Sequence, residues 1–250
     1  MKTCGILLNE RDYLIPYVSW LLENQELIGY TISGIHTNNE KWFNEMASQS
    51  LENSYKLSSF EDIVDSSDVV VSLSYWNKID KETIEKVPMG IINFHHSYKL
   101  KYRGRHSATW AIRRKEKVHG STMHFIDENL DSGKIIDTDC FDIEKSDVAE
   151  DVFLKANDIG LDLLKRNFAK IINQECIEYT HPSDDYFSSK ESDLHHEIEI
   201  SSLYDTKKLI REIKALTYGN CPAPYVRIDG HKLYLKLDNY DSGICNEKQQ

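Results

Sequence analysis

The chain is poor in the features that mark secreted, membrane-spanning or nucleic-acid-coating proteins. Of its 250 residues only five are cysteines, at positions 4, 140, 176, 221 and 245. The number is odd, the spacings are wide and there is no Cys-x-x-Cys pair. That pattern excludes a disulfide framework, suits reduced thiols in a cytoplasm, and fits a structural zinc site poorly. No window approaches the roughly 18 apolar residues that a membrane helix needs. The first apolar run, Cys4-Gly5-Ile6-Leu7-Leu8, breaks at Asn9-Glu10-Arg11-Asp12. It is too short for a signal-peptide core and reads as a buried strand. Positive charge is scarce: 30 Lys+Arg stand against 41 Asp+Glu, a net charge of -11. Such a balance argues against broad binding to nucleic acid. No internal repeat and no low-complexity tract is present.

Against these absences stands an ordinary globular composition, 40% hydrophobic and 28% charged, in a length that can bury a real core. Strand candidates at 4–8, Leu27–Ile35, Asp68–Ser74 and Gly90–His95 alternate with helix candidates at Tyr13–Leu22, Lys41–Leu51, Phe60–Val64 and Lys81–Lys86. This alternation predicts βαβ units and an α/β fold with a mostly parallel sheet. A polar loop over Lys99–Arg105 and a helix over Ala108–Lys115 follow. Two strands come next, Ser121–Ile126 and Lys134–Phe141, antiparallel or extending an edge. The longest helix spans Asp147–Asn173, with Asp147 and Glu150 at capping-box spacing. A polar stretch, His181–Asp193, marks a boundary. We therefore expect a catalytic domain over 1–180 and a small C-terminal unit over 181–250. That unit holds a helix at Thr206–Leu216 and a β-hairpin turning at Asp229-Gly230.

Chemistry concentrates between Asn93 and Gly133. Asn93 and His95 are two apart, so on a strand they share a face. They end a buried strand, where open α/β sheets place ligands. An amide and an imidazole there combine an oxyanion donor with a proton acceptor. Alone, the pair is equally a polar strand end bonding its own loop. Asp131-Ser132-Gly133 alone is a turn. Beside Asn93 and His95, however, Asp131 is a carboxylate able to orient the imidazole. His124, on a strand, reads as a residue satisfying a core hydrogen bond. The His195-His196 pair supplies no tetrahedral ligand set, so no metal is expected.

Four blocks in order carry a resemblance: Asn93-Phe94-His95-His96-Ser97, Tyr102-Arg103-Gly104, Gly120-Ser121-Thr122-Met123-His124 and Leu130-Asp131-Ser132-Gly133. They resemble the folate-dependent formyltransferase signature, with His96 in place of a frequent Pro and Ser132 in place of the usual Thr. Ser72-Leu73-Ser74-Tyr75-Trp76-Asn77-Lys78-Ile79, together with Lys214-Ala215-Leu216-Thr217-Tyr218, is similar to the sugar N-formyltransferases. The resemblance implies a Rossmann-like formyltransferase fold, the catalytic set Asn93, His95 and Asp131, and N10-formyltetrahydrofolate as co-substrate. It implies donor contacts at Ser74, Tyr75, Trp76, Phe125 and Asp127. Acceptor contacts are expected at Asn9, Lys78, Ser97, Tyr102, Arg103, Gly104, Lys214 and Tyr218, with Lys78 and Arg103 nearest a diphosphate. The acceptor it implies is a dTDP-amino sugar, best dTDP-4-amino-4,6-dideoxyglucose for surface polysaccharide such as lipopolysaccharide O-antigen. A cytoplasmic homodimer is expected, with no nucleic acid and no membrane partner.

Other readings are weaker. A glycinamide ribonucleotide enzyme needs a Gly/Ser-rich phosphate loop after the first strand, which Leu8-Asn9-Glu10-Arg11-Asp12 is not. A methionyl-tRNA enzyme needs a larger C-terminal domain and a basic surface. A non-catalytic sugar-nucleotide binding protein would have no use for the complete Asn93, His95 and Asp131 set.

Overall fold

The computed structural model describes residues 1–50, 55–175, 186–187, 196–199, 205–219 and 221–238. Strand β1 (Lys2–Leu8) lies between β2 (Tyr30–Thr37) and β3 (Val69–Leu73), parallel to both. β4 (Ile91–His95) continues the parallel set beside β3. β6 (Val118–Phe125) and β7 (Ile135–Asp142) then add two antiparallel strands, for the order β2-β1-β3-β4-β6-β7. Both strands of the ambiguous 121–141 pair thus join the main sheet. β3 is buried at every residue, as its nearly continuous apolar run, interrupted at Ser72, suits a strand covered on both faces.

The helices are α1 (Ile15–Glu23), α2 (Gln25–Ile28), α3 (Glu40–Ser50), α4 (Phe60–Ser66), α5 (Lys81–Lys86), α6 (Ser107–Arg113), α7 (Ala149–Ile172) and α8 (Thr206–Leu216). Two expectations are corrected. The segment expected to open the second strand at Leu27 is still helical, because α2 runs to Ile28 and stops at Gly29 with φ +87°, a left-handed terminus that glycine adopts without strain. The start of α7 does not use the Asp147/Glu150 pair. Asp151 Oδ2 instead accepts from Val148 N at 3.0 Å. Asp147 is drawn off to Glu144 N and Lys155 Nζ.

The two faces of the sheet are covered differently, and that difference makes room for a site. One face carries Ile6, Val71, Ile92, Phe94 and Met123 and packs with residues of α1, α3 and α7. The other carries Leu7, Val70 and Ile91 and packs with residues of α4 and α5. By strand alternation Asn93 and His95, with their register partners His124 and Thr122, belong to this second face. Here the β6 end is covered by a one-turn segment, Tyr98–Leu100, whose Leu100 N donates to Thr122 Oγ1. A two-residue strand β5 (Arg103–Gly104) follows and pairs in parallel with β8 (Tyr186–Phe187).

The C-terminal part consists of α8 and the hairpin β9 (Tyr225–Ile228)–β10 (His231–Tyr234). Asp229 and Gly230 form its turn, both at positive φ. Ile198, Ile213, Leu216 and Val226 make a small core of its own. It is fastened to α6 by Arg113 Nε donating to Glu212 Oε2 at 2.9 Å and by Thr109 Oγ1 donating to the Ala215 carbonyl. The expected boundary at 180/181, most of the 181–193 stretch, His195, Cys176 and Cys245 lie outside the described residues. Of the described cysteines Cys4 is buried and Cys140 is exposed.

Candidate active site

The residues named from the four sequence blocks converge. Asp131 sits on the loop joining β6 to β7, with φ +49°, a left-handed conformation uncommon for a side-chain-bearing residue. Its carboxylate is held from three directions. Oδ2 accepts from Gly104 N at 3.0 Å and lies 3.4 Å from His95 Nδ1. Oδ1 accepts from Asn93 Nδ2 at 3.5 Å. The loop itself is closed by Asp127, whose Oδ1 accepts from Ser132 Oγ at 2.6 Å and from Asn129 N at 3.0 Å. Gly133 is obligatory in this loop: a Cβ there would fall 1.8 Å from the Phe125 carbonyl oxygen.

His95 is buried, and acceptors flank both sides of its ring. Nδ1 faces Asp131, while Nε2 lies 3.3 Å from the Lys101 carbonyl and 3.2 Å from that of Tyr102. His124 stands opposite Asn93 in the ladder. Its Nδ1 donates to the Phe125 carbonyl at 2.9 Å, which leaves Nε2 as the acceptor for Asn93 Nδ2 at 3.3 Å. Burial holds the His124 pKa below the ordinary imidazole value, partly opposed by the Asp131 charge. A neutral ring with one donor and one acceptor fits those partners. His124 therefore belongs to the site. Its place in the third sequence block was the available signal, but its register against Asn93 is a tertiary fact.

A cavity of about 710 Å³ opens over this group. Asn93, His124 and Asp131 line it, together with Tyr75, Trp76, Lys78, Arg103 and Asp127. Lys78, expected near a diphosphate, thus shares a cavity with the expected donor contacts. His95 is not among the lining residues and supports Asp131 from behind. The remaining named residues lie around it. Ser74, with φ +53°, directly follows β3. Phe125 lines a second cavity with Gly90 and Lys134. Asn9 N donates to the Leu73 carbonyl, and its amide Nδ2 is buried without a partner. Ser97 is fully buried, and its carbonyl accepts from Thr122 Oγ1. Tyr102 is buried, with its hydroxyl donating to Glu116. Gly104 serves through its backbone. Lys214 Nζ donates to the Lys145 carbonyl and does not line the cavity. Tyr218 packs edge-on against Phe153. Among the described residues no group of His, Cys, Asp and Glu side chains could hold a metal ion, and no helix is long and apolar enough to cross a membrane.

Comparison with known proteins bears on this arrangement. Residues 37–167, just over half of the chain, match the formyl transferase family model. The formyltetrahydrofolate deformylase of Escherichia coli (strain K12) is 31% identical over 112 residues, which is 45% of this chain and 40% of that protein. The chain thus spans well under half the length of that curated relative. Among solved structures, a sugar N-formyltransferase from Shewanella sp FDAARGOS_354 superposes with TM-score 0.79 at 19% identity, covering 95% of this chain and 97% of that one. The N-formyltransferase from Helicobacter canadensis, in complex with folinic acid and dTDP-3-aminofucose, gives TM-score 0.70 at 21% identity, covering 93% and 86%. Those two structures share its fold across nearly the whole chain, and the family match spans β4, β6 and the loop bearing Asp131: the chain belongs to the formyl transferase family.

Proposed function

We propose that this protein transfers a formyl group from N10-formyltetrahydrofolate to the amine of a dTDP-linked amino-dideoxy sugar, with dTDP-4-amino-4,6-dideoxyglucose as the first acceptor to test. The observation that carries this reading is the meeting of Asn93 and Asp131 at one cavity whose walls are Tyr75, Trp76 and the 126–131 loop, with His95 against Asp131 from behind. The fold shared with sugar N-formyltransferases from end to end supports the choice of acceptor.

The chemistry follows from the donors and acceptors present. The sugar amine attacks the formyl carbon and the carbonyl oxygen becomes an oxyanion. Asn93 Nδ2 is the donor aimed into the cavity. Its two present contacts, at 3.3 and 3.5 Å, are long, so an oxyanion competes well for one N–H. The amine must lose a proton and the folate nitrogen must gain one as the carbon–nitrogen bond breaks. The His95–Asp131 pair is the adjacent acid–base couple: Asp131 faces the cavity, and His95 Nδ1 stands 3.4 Å behind its carboxylate. No step calls for a metal.

In this reading the donor's flat ring enters between Tyr75, Trp76 and the loop after β6, with Lys78 at its edge. The exposed apolar hairpin residues Leu233 and Tyr234 support a homodimer through the C-terminal unit. A cytoplasmic enzyme of surface-polysaccharide synthesis such as O-antigen, in two units over 1–180 and 181–250, completes the proposal.

The test is a panel of dTDP-, UDP- and GDP-amino sugars incubated with the formyl donor, read by mass spectrometry of the sugar. Formylation of a dTDP-amino sugar is the expected result. Formate release without any sugar product would assign hydrolysis instead, and binding without turnover would assign a sensor.

A further inference from the structure

Trp76 is 62% exposed, and two guanidiniums lie over its ring. Arg105 Cζ is 4.8 Å from the ring centroid and Arg11 Cζ is 5.7 Å from it. The three residues come from three separate loops, after β1, β3 and β5. The Asn9 N to Leu73 carbonyl bond draws the first two loops together. The third is anchored by Gly104, whose N–H holds Asp131.

This is an unusual placement in a chain of net charge -11. Two like charges beside one ring repel each other, and a cation–π contact in water is weak. Two acids flank Arg11 in sequence, Glu10 and Asp12. Glu10 spends its carboxylate on Asn39 and offers Arg11 its backbone carbonyl, and neither carboxylate forms an ion pair with Arg11 among the described residues. An anion seated between the guanidiniums relieves their repulsion and accepts paired N–H groups from each. Trp76 lines the large cavity, whereas Arg11 and Arg105 do not. The arginines therefore meet the indole without belonging to the cavity lining.

We propose that Arg11 and Arg105, held against Trp76, grip the diphosphate of the acceptor substrate outside the donor cavity. This assignment rests on the sugar-nucleotide reading above. It makes the two arginines acceptor-specificity residues. A folate tail would instead leave by the cavity side of the indole.

The test is calorimetric titration of the full chain with dTDP, with inorganic pyrophosphate and with 5-formyltetrahydrofolate, in the parent and in Arg11→Gln, Arg105→Gln and the double variant. Each single change is expected to weaken dTDP and pyrophosphate about tenfold and the double change about a hundredfold, the scale of charge-assisted hydrogen bonds. Folate affinity stays within about twofold of the parent on the same scale. Loss of folate affinity alone would move the arginines to the donor and overturn the assignment. So would anion affinities indifferent to both substitutions, or no anion binding by the parent. Arginine-dependent pyrophosphate binding without dTDP binding would keep the anion grip and remove the thymidine nucleotide.

Discussion

Asn93 and His124 face each other across the antiparallel β4–β6 ladder, with the amide Nδ2 3.3 Å from the ring Nε2. Because His124 Nδ1 is committed to the Phe125 carbonyl, the ring can only accept from the amide. That orients Asn93 with its donor end toward the reacting oxygen.

His124 is thus a positioning residue. His124→Ala should lower kcat about 10- to 100-fold, somewhat less than the loss of an oxyanion donor itself, with KM for the donor nearly unchanged. His124→Asn, which keeps an acceptor, should recover part of the rate. A merely structural role would lower thermal stability without this split between the two variants.

His95→Asn should reduce turnover by about 10³ or more, since general acid–base assistance and the imidazole contact that supports Asp131 vanish together. Equilibrium binding of nucleotide should persist. A variant with near-normal turnover would remove His95 from the mechanism.

Lys78 shares the cavity of Tyr75 and Trp76. Lys78→Ala is accordingly expected to raise KM for the folate donor several-fold, on the order of one lost charged contact, and to leave KM for the sugar nucleotide alone. Steady-state kinetics with each substrate varied in turn decides. A rise confined to the sugar nucleotide would return Lys78 to the diphosphate.

The protein should lose stability in mild acid. Burial pushes His96 down to about 3 and His119 down to about 4, with the neighbouring His95 ring adding to the effect. In the unfolded chain both ionise near 6.5. Above that value neither state takes up a proton on their account, so stability is level. Below it the unfolded chain binds protons that the fold refuses. Stability then falls as pH drops toward the folded values, by roughly 2 kcal/mol per residue at pH 5. Melting temperatures between pH 7.5 and 5 should show the slope, and His119→Phe should flatten it. A level profile for the parent would contradict it.

Light scattering should report a dimer at micromolar concentration. Leu233→Asp with Tyr234→Asp should yield a folded monomer, because both side chains are exposed in the single chain. A monomeric parent, or a double variant that stays dimeric, would place the hairpin elsewhere than at an interface.

Much of the fold is legible in the sequence because local signals agree with it. The mostly apolar run of β3 and the Asp229-Gly230 turn each point one way. The failures have local causes too. A helical turn at Gln25–Ile28 looks like a strand start when Gly29 is not read as its terminator. Asp147 and Asp151 compete for one cap, and the competing Lys155 decides. Asn93, His95 and Asp131 could be named from their blocks, but their division of labour could not. That Asp131 faces the cavity while His95 stands behind depends on Gly104 and on the Lys101 and Tyr102 carbonyls, contacts no spacing rule contains. Arg11 and Arg105 carry no motif, and only the folded chain brings them to Trp76.

The unequal cover of the two sheet faces has an evolutionary consequence. The floor under the reacting groups is a hydrogen-bonded ladder, β4 against β6, while the walls are chiefly the short connections after β3 and β6. Substrate preference can therefore drift by rewriting a few surface residues, with no repacking of the helices behind the sheet. A lineage built this way can keep one reaction and exchange its acceptors at little risk to folding.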